Sequence, residues 1–397
     1  MPDNTIPDRP VPEVSPADFL GRIERGEPLR VLDVRSPDAV AGGRIELIPE
    51  AKYHNIPGSR ILASAALDTL GLDPAIPVVV VCGRGNDSRY CAAHLNRLGA
   101  RATSLAGGMS SWMGLAVPRE IPPPPGLDRL VQFDRVGKGS LGYILVRGKE
   151  AIVIDPGRDA RPYTDLLRQS AVNPVAVADT HAHADYLSGG ASLSRALGVP
   201  YHLHPADGVS PYDGSPGRLD FRPLGEGMPL RLGGSAVSVL HTPGHSPGSV
   251  TFMIGRDAAF TGDFLFVASI GRPDIADRAE EWAGDLWRSL LRVKREWPAY
   301  LRVFPAHYAS VGEKKEGGSV YGMFGDMLRE NPSLQFAGEP EFRTWVRSNA
   351  RPVPAAYRTI KEINLALIEA GREDADRLEA GKNECAISGA SPSSSHF

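Results

Sequence analysis

The chain has 397 residues, 42% of them hydrophobic, which suits two domains with buried cores better than one. A net charge of −3 without a dense Lys/Arg block makes nucleic acid or an anionic membrane an unexpected principal partner. Three cysteines imply no disulfide framework, and we find neither a signal-peptide pattern nor an apolar stretch long enough to span a bilayer. We therefore expect a cytoplasmic protein, and the composition leaves open whether it forms a homo-oligomer.

Changes in composition divide the sequence into segments. The clearest boundary is a run of four prolines at 122–125, which favours a semi-rigid spacer between domains. We predict a disordered tail at 1–14, a first domain at 15–118, a linker at 119–128, a second domain at 129–350, a C-terminal extension packing on that domain at 351–387 and a second disordered tail at 388–397.

The first domain alternates short apolar runs with helical patterns. Strands are predicted at 30–34, 78–82 and 102–105, and a helix at 88–99 that ends at a glycine. Strands of this kind, separated by helices, indicate a small α/β unit with a parallel sheet.

Cys82 follows the buried strand and precedes the helix. The intervening Gly-Arg-Gly-Asn-Asp sequence favours a loop whose backbone N–H groups point inward, next to the positive end of a helix. Both effects favour a nucleophilic thiolate. The alternative is a small buried hydrophobic residue, but the flanking glycines and Arg84 favour an exposed anion cradle. Cys91, on the helix, is expected to pack in the core.

These residues resemble a single rhodanese domain. The likeness rests on Cys82-x-x-Gly85, on Leu-Asp-Val-Arg at 32–35, on Asn-Ile-Pro at 55–57 and on Leu-Ala-Gly-Gly-x-x-x-Trp at 105–112. It implies a parallel-sheet α/β fold in which Cys82 is catalytic and carries a persulfide. The anion loop that it implies comprises Gly83, Arg84, Gly85, Asn86, Asp87 and Ser88. Asp87 departs from the Arg, Thr or Ser that the family often has there, so the sulfur donor stays open.

The second domain begins with predicted strands at 131–133, 142–146 and 151–154, and it contains a helical pattern at 281–294. Four apolar runs within it each end in a residue that can bind a metal. These residues are His181, His183 and Asp185 after 175–180, then His245, Asp263 and His307. Imidazole and carboxylate suit zinc or iron. A single run could be an ordinary histidine loop, but four of them predict a metal site at one edge of a sheet. Beyond 349, a further helix is predicted at 355–369.

Residues 129–350 resemble the metallo-β-lactamase superfold, an αββα sandwich that hosts both hydrolases and oxidoreductases. The likeness rests on His181-x-His183-x-Asp185 and on the later ligands His245, Asp263 and His307. Two-metal hydrolases of this superfamily have a histidine directly after the aspartate, where this chain has Tyr186. The resemblance therefore implies a mononuclear site and argues against a two-zinc thioester hydrolase of the glyoxalase II type.

Four further segments, 243–249, 262–263, 271–274 and 381–386, resemble persulfide dioxygenases, some of which are fused to a rhodanese domain. The resemblance implies one Fe²⁺ per chain, with Zn²⁺ as the alternative, held by His181, His245 and Asp263. It makes His183, Asp185 and His307 either groups that orient ligands or alternative ligands. Substrate-binding roles fall to Arg272 and Tyr186, although a structural salt bridge explains Arg272 equally well.

The expected function is oxidation of a thiol persulfide by O₂ to thiol and sulfite, with glutathione, coenzyme A or bacillithiol as candidate carriers. Sulfur transfer through Cys82 would make or consume thiosulfate, in a direction the sequence leaves open. One alternative is a zinc-dependent thioester hydrolase with an accessory rhodanese domain. Another is that the rhodanese domain serves only for docking or redox sensing.

Overall fold

A computed structural model describes residues 11–276, 278–381 and 383–387. The chain forms two compact units that divide between Leu115 and Ala116, apart from two short segments. Among the described residues, no helix combines the length and the apolarity needed to cross a bilayer.

The N-terminal unit is built on five parallel strands in the order β1-β5-β4-β2-β3. Its elements are β1 (Glu13–Val14), α1 (Pro16–Glu24), β2 (Arg30–Asp33), α2 (Pro37–Ala41), β3 (Tyr53–Asn55), α3 (Gly58–Leu62), β4 (Val78–Val81), α4 (Asn86–Arg97), β5 (Ala102–Leu105) and α5 (Gly108–Gly114). The four valines of β4 are buried at the centre of the sheet, as a strand covered on both faces requires. Helix α4 packs on the sheet through Cys91, Ala92 and Leu95, which are spaced along one face.

The prediction of a disordered tail at 1–14 is partly wrong. Glu13 and Val14 form β1, which pairs with β5 in the register Glu13↔Ser104. A two-residue edge strand is too short to produce a periodic signal in the sequence. Residues 1–10 of that predicted tail lie outside the described residues, as does the predicted tail at 388–397.

The C-terminal unit contains two large sheets, in the orders β12-β11-β10-β9-β8-β7-β6 and β13-β14-β15-β16-β18-β19. The elements of its first half are β6 (Ala116–Ile121), β7 (Arg129–Arg135), β8 (Ser140–Arg147), β9 (Glu150–Ile154), α6 (Arg161–Gln169), β10 (Asn173–Ala178), α7 (Gly190–Leu197), β11 (Tyr201–Leu203) and β12 (Arg222–Pro223). Those of its second half are β13 (Leu230–Leu232), β14 (Ser235–His241), β15 (Val250–Ile254), β16 (Ala258–Gly262), β17 (Ile270–Gly271), α8 (Ala279–Glu296), β18 (Arg302–Pro305), β19 (Gly322–Met323), α9 (Phe324–Glu330), α10 (Glu339–Ser348), α11 (Ala356–Asn364), α12 (Arg372–Leu378) and β20 (Ala386–Ile387).

The two sheets pack face to face, and helices cover both outer faces. Leu145 and Ile152 of one sheet meet Phe252 and Phe260 of the other in a common apolar core. Helices α6 and α7 pack on the first sheet, and α8 and α10 on the second. This layering confirms the predicted αββα sandwich, because each sheet buries one face against the other and one against helices.

The segment predicted as a linker, 119–128, begins as sheet rather than spacer. Strand β6 extends to Ile121 and pairs with β7 in the register Pro118↔Phe133. Because β6 is an edge strand, Pro118 can lack an N–H group without leaving a neighbouring strand unpaired. The linker was therefore predicted to begin too early, since β6 ends at Ile121, directly before the four prolines.

The C-terminal segment lies against the sandwich through two helices and one strand. Strand β20 pairs with β17, and Asn364 of α11 donates its amide to the backbone oxygens of His183 and Tyr186, both at 2.9 Å. The helix predicted at 355–369 ends earlier, at Asn364, because the chain turns at Ala366, whose φ is 55°.

Candidate metal centre and sulfur-transfer loop

Four strand ends of the C-terminal unit meet at one edge of the sandwich. His181 follows β10, His245 lies between β14 and β15, Asp263 directly follows β16 and His307 follows β18. Gly262, with φ at 56°, makes this convergence possible: a Cβ there would lie 2.4 Å from the Thr180 side chain. All four side chains are buried.

His181, His245 and Asp263 present one ligand atom each to a common point, with all three atoms within 4.8 Å of one another. The Asp263 Oδ2 lies 3.8 Å from the Nε2 of His181 and 3.6 Å from the Nε2 of His245. The structure therefore brings together the three residues that the resemblance assigned to the metal. Two neighbouring groups, Asp155–Asp179–His183 and Asp185–Asp263–Cys385, also bring three ligand atoms within 4.8 Å of one another.

The tautomers of the two histidines suit a metal. His245 Nδ1–H donates to the Arg272 carbonyl at 3.0 Å, which leaves the lone pair on its Nε2. His181 Nδ1–H donates to Thr180 Oγ1 at 3.0 Å, and that hydroxyl donates to Asp155 at 2.9 Å. Burial lowers the pKa of both imidazoles, which favours the neutral, metal-binding form.

Two atoms of this set lack partners. The His181 Nε2 and the Asp263 Oδ2 are buried and make no hydrogen bond to any residue that the structure describes. A buried carboxylate oxygen without a donor is costly, and a cation satisfies it together with both imidazoles. These three residues therefore fit a divalent metal.

His307 supports Asp263 from behind. Its Nδ1–H donates to the Asp263 Oδ1 at 2.6 Å, and its Nε2 lies 3.0 Å from the Asp185 Oδ2. Burial lowers the pKa of His307, but the two carboxylates outweigh this effect and raise the pKa to about 10. His307 is thus placed to fix the orientation of Asp263.

His183 faces away from this set. Its Nε2 lies 3.3 Å from the Asp155 Oδ1 and 2.9 Å from the Tyr186 hydroxyl, and the Tyr186 ring stacks on the imidazole. Burial lowers the pKa of His183, but the Asp155 hydrogen bond and the Asp179 charge raise it overall. Tyr186 is fully buried, so its predicted substrate-binding role stays a prediction.

Arg272 is engaged by the protein itself. Its guanidinium forms a bidentate salt bridge with Asp274, at 2.6 and 2.8 Å. It also donates to the backbone oxygens of Arg351 and Glu384. Because the residue is only 2% exposed, these contacts favour the structural alternative over substrate binding.

Sequence reasoning missed Asp207, a buried carboxylate that joins two ligand loops. Its Oδ2 accepts hydrogen bonds from the Ala182 N–H at 2.8 Å and the Ser246 hydroxyl at 2.7 Å, and its Oδ1 accepts one from the Gly248 N–H at 2.8 Å. Asp207 therefore sets the spacing between His181 and His245. The available signal was its position: it follows the end of β11, as the ligands follow other strands.

Replacing Asp207 by alanine should weaken metal binding by about 10- to 100-fold, the range typical of groups that orient ligands. The reason is that both loops lose the acceptor that ties them together. Competition with a chelator of known affinity measures the change. The matched control is Asp33→Ala, a buried carboxylate in the other unit, which should leave metal affinity unchanged; equal affinities for both variants would contradict the role of Asp207.

The N-terminal unit holds Cys82 at the start of its predicted loop. The Gly85 N–H donates to the Cys82 Sγ at 3.0 Å, and the Ser88 hydroxyl lies 3.3 Å from the same sulfur. Helix α4 begins at Asn86, so its positive end faces the thiol. Gly85 has a φ of 89°, and a Cβ there would lie 2.8 Å from the backbone N of Gly107.

One expectation for this loop is wrong. Cys82 is only 2% exposed, so the sulfur is covered rather than displayed in an exposed cradle. Gly83, Arg84, Asn86 and Asp87 are the exposed residues of the loop. The covered position follows from the tight turn, which draws Sγ back toward the N–H of Gly85.

The other residues that carried the rhodanese resemblance form its scaffold. Both carboxylate oxygens of Asp33 accept from the Arg35 guanidinium, at 3.0 and 2.7 Å, and the carboxylate also accepts the Tyr53 hydroxyl at 2.5 Å. The Asn55 amide donates to the backbone oxygens of Asp33 and Arg35, both at 2.9 Å. These bonds fix the chain that leaves the central sheet beside β4.

Comparison with protein families matches both units. Residues 136–307 match the metallo-beta-lactamase superfamily, and residues 15–115 match the rhodanese-like domain. An uncharacterized protein of Mycobacterium tuberculosis is 33% identical over 175 residues, covering 38% of this chain and 77% of that protein. A hydroxyacylglutathione hydrolase of Anaeromyxobacter dehalogenans is 34% identical over 165 residues, covering 39% of this chain and 60% of the hydrolase.

Among solved structures, ETHE1 from Myxococcus xanthus is similar in fold. It has a TM-score of 0.50 at 22% identity and covers 63% of this chain and 99% of ETHE1. The metallo-β-lactamase fold implies a divalent metal, which His181, His245 and Asp263 fit. Together with the rhodanese domain it indicates an enzyme. The chain belongs to the metallo-beta-lactamase superfamily and carries a rhodanese-like domain at its N-terminal side.

Proposed function

We propose that the chain is a sulfur-metabolising fusion enzyme in which one ferrous ion supports the oxidation of a thiol persulfide. The reaction is R–S–SH + O₂ + H₂O → R–SH + H₂SO₃. The observation that carries this proposal is the donor set of two imidazole nitrogens and one carboxylate oxygen. That set is characteristic of non-haem Fe(II) oxygenases, because it leaves coordination positions open for O₂ and substrate.

A ferrous ion would supply the reactivity toward O₂ that protein side chains lack. The side chains of the protein would bind the ion and fix its surroundings. His181 and His245 would hold the ion as neutral imidazoles with fixed tautomers, and Asp263 would offset part of its charge. Asp263 keeps its orientation because His307 holds the other carboxylate oxygen.

The rhodanese unit would process the sulfur on either side of this reaction. Cys82 would carry the sulfane sulfur and pass it to sulfite: Cys82–S–SH + SO₃²⁻ → Cys82–SH + S₂O₃²⁻. The Gly85 N–H and the start of α4 would stabilise the sulfur anion. In the reverse direction, the same residues would take sulfur from thiosulfate and supply persulfide.

A second candidate is hydrolysis of a thioester with zinc, and the similarity to a hydroxyacylglutathione hydrolase favours it. Tyr186 argues against it. A tyrosine at this position supplies no imidazole for a second metal, and its hydroxyl is engaged with the His183 Nε2 at 2.9 Å.

Loading the same chain with iron or with zinc separates the two functions. The iron form should consume O₂ with glutathione persulfide or coenzyme A persulfide and should not hydrolyse S-lactoylglutathione. Thioester turnover by a form with two zinc ions, without O₂ uptake by the iron form, would refute the proposal.

His307→Ala should have a moderate effect if the site holds one metal. The variant loses the donor that orients Asp263 but no ligand, so we expect about a 10- to 100-fold loss of iron affinity or activity. His245→Ala, which removes a ligand, should lose much more. Metal analysis of both variants checks this, and equal loss of iron would mean that His307 is itself a ligand.

A further inference from the structure

Lys361 is a buried lysine beside the metal centre. It lies on the face of α11 that also buries Tyr357 and Ile360, and it is 4% exposed. Its Nζ donates to the Ala182 backbone oxygen at 2.5 Å, between two histidines of the first ligand loop. Burial lowers the pKa of Lys361, and the nearby carboxylates of Asp207 and Asp263 act against this effect.

The ammonium group of Lys361 is only partly satisfied. It has three N–H donors, and the bond to Ala182 is its one hydrogen bond to a residue that the structure describes. Nor does it form a salt bridge within the described ranges. Burying a cation without a paired anion is costly, so the group is suited to an anionic ligand.

A cavity of about 240 Å³ borders Lys361. Ser210, Arg278, Asp207 and Pro247 also line it, so the cavity borders the second ligand loop at Pro247, and Lys361 connects it to the first through Ala182. It is smaller than the roughly 300–1,000 Å³ of sites for drug-sized ligands and suits a small group. The Asp207 carboxylate, which lies at the same cavity, already accepts three hydrogen bonds from the protein.

Arg278 binds Glu281 at 2.5 and 3.0 Å, whereas Lys361 has no carboxylate partner among the described residues. We propose that Lys361 is the anion-binding residue of the metal centre and that this cavity holds a negatively charged group of the substrate. The group is either the sulfur anion or a carboxylate of the thiol carrier. The identity of the substrate rests on the proposed function, but the anion site does not. Lys361 thus takes the role that sequence analysis gave to Arg272.

Lys361→Met should weaken anion binding by about 10- to 100-fold, because a charge-assisted hydrogen bond is lost. Lys361→Arg should retain most of the affinity. The matched control is Lys294→Met: the Lys294 Nζ also donates to a backbone oxygen, that of Leu334 at 2.5 Å, but it does not line the cavity. This control should bind anions like the wild type.

Calorimetric titration of the zinc-loaded full chain tests this without turnover. Sulfite probes the sulfur-anion arm, and S-methylglutathione, which has no free thiol, probes the carboxylate arm. A selective loss in Lys361→Met for either probe supports the proposal and identifies the group bound. Unchanged binding of both, or no binding of either probe to the wild type, overturns it.

A second measurement covers the case in which Lys361→Met misfolds or loses zinc. In wild-type protein with ¹⁵N-labelled lysine side chains, the Lys361 resonance, assigned by its absence from Lys361→Arg, should shift when a probe is added. The Lys294 resonance should not. If neither shifts, the proposal is wrong. Absence of O₂ uptake by iron-loaded wild type would instead refute the proposed function and leave this result standing.

Discussion

Asp263→Asn should abolish iron binding and O₂ uptake. The Asp263 carboxylate serves two partners at once: Oδ1 accepts the His307 N–H, and Oδ2 faces the imidazoles of His181 and His245. An amide has one oxygen, so its NH₂ group would face either His307 or the metal. The negative charge that would offset that of Fe²⁺ is also lost. The effect should therefore exceed the roughly 10- to 100-fold loss expected for groups that only orient ligands.

Iron content after anaerobic reconstitution measures this effect. The control is Asp134→Asn, which changes a buried carboxylate of the same unit whose partners are Lys314 and Tyr308. That variant should keep its iron. If Asp263→Asn retained one iron per chain with normal O₂ uptake, the assignment of the carboxylate ligand would be wrong.

Cys82→Ser should abolish sulfur transfer from thiosulfate to cyanide and leave O₂ uptake with a supplied persulfide intact. A serine hydroxyl accepts the same Gly85 N–H but cannot form a persulfide. Formation of thiocyanate, followed with ferric ion, measures the loss. The result separates a sulfurtransferase from a unit that serves only for docking or redox sensing.

Cys91→Ser is the matched control for Cys82. Burial raises the pKa of Cys91 to about 12, which keeps it a thiol, and it packs in the apolar core of the N-terminal unit. Its replacement should leave sulfur transfer near the wild-type rate. Transfer that survives in Cys82→Ser and disappears in Cys91→Ser would contradict the assignment of the sulfur carrier.

The large elements of the fold were predictable because their patterns are strong. The four valines of β4 and the amphipathic α8 each carry a clear signal of burial. Weak local signals failed. The linker was predicted from residue 119, where β6 still continues as an edge strand, and β1 is too short to detect. In both places, pairing with a distant strand decides the structure.

The residues proposed to bind the metal could be predicted to lie together, because each follows an apolar strand, and parallel or neighbouring strands end at one edge. The residues that contact the ligand loops from elsewhere in the chain could not be predicted. Asp207 and Lys361 reach the ligand loops from distant parts of the chain. Lys361 did leave one trace, since it falls on the buried face of an amphipathic helix where a cation is unusual. The role of Arg272 could not be predicted, because it depends on the salt bridge that the folded chain forms with Asp274.

The most direct test of the account is the stoichiometry of persulfide oxidation by the iron-loaded chain. Glutathione persulfide, dissolved O₂, sulfite and glutathione would be followed together, with Cys82→Ser used so that sulfur transfer does not consume the sulfite. We predict one O₂ consumed and one sulfite and one thiol formed for each persulfide, at one iron per chain. Persulfide that persists, or that disappears without O₂ uptake, would contradict the account.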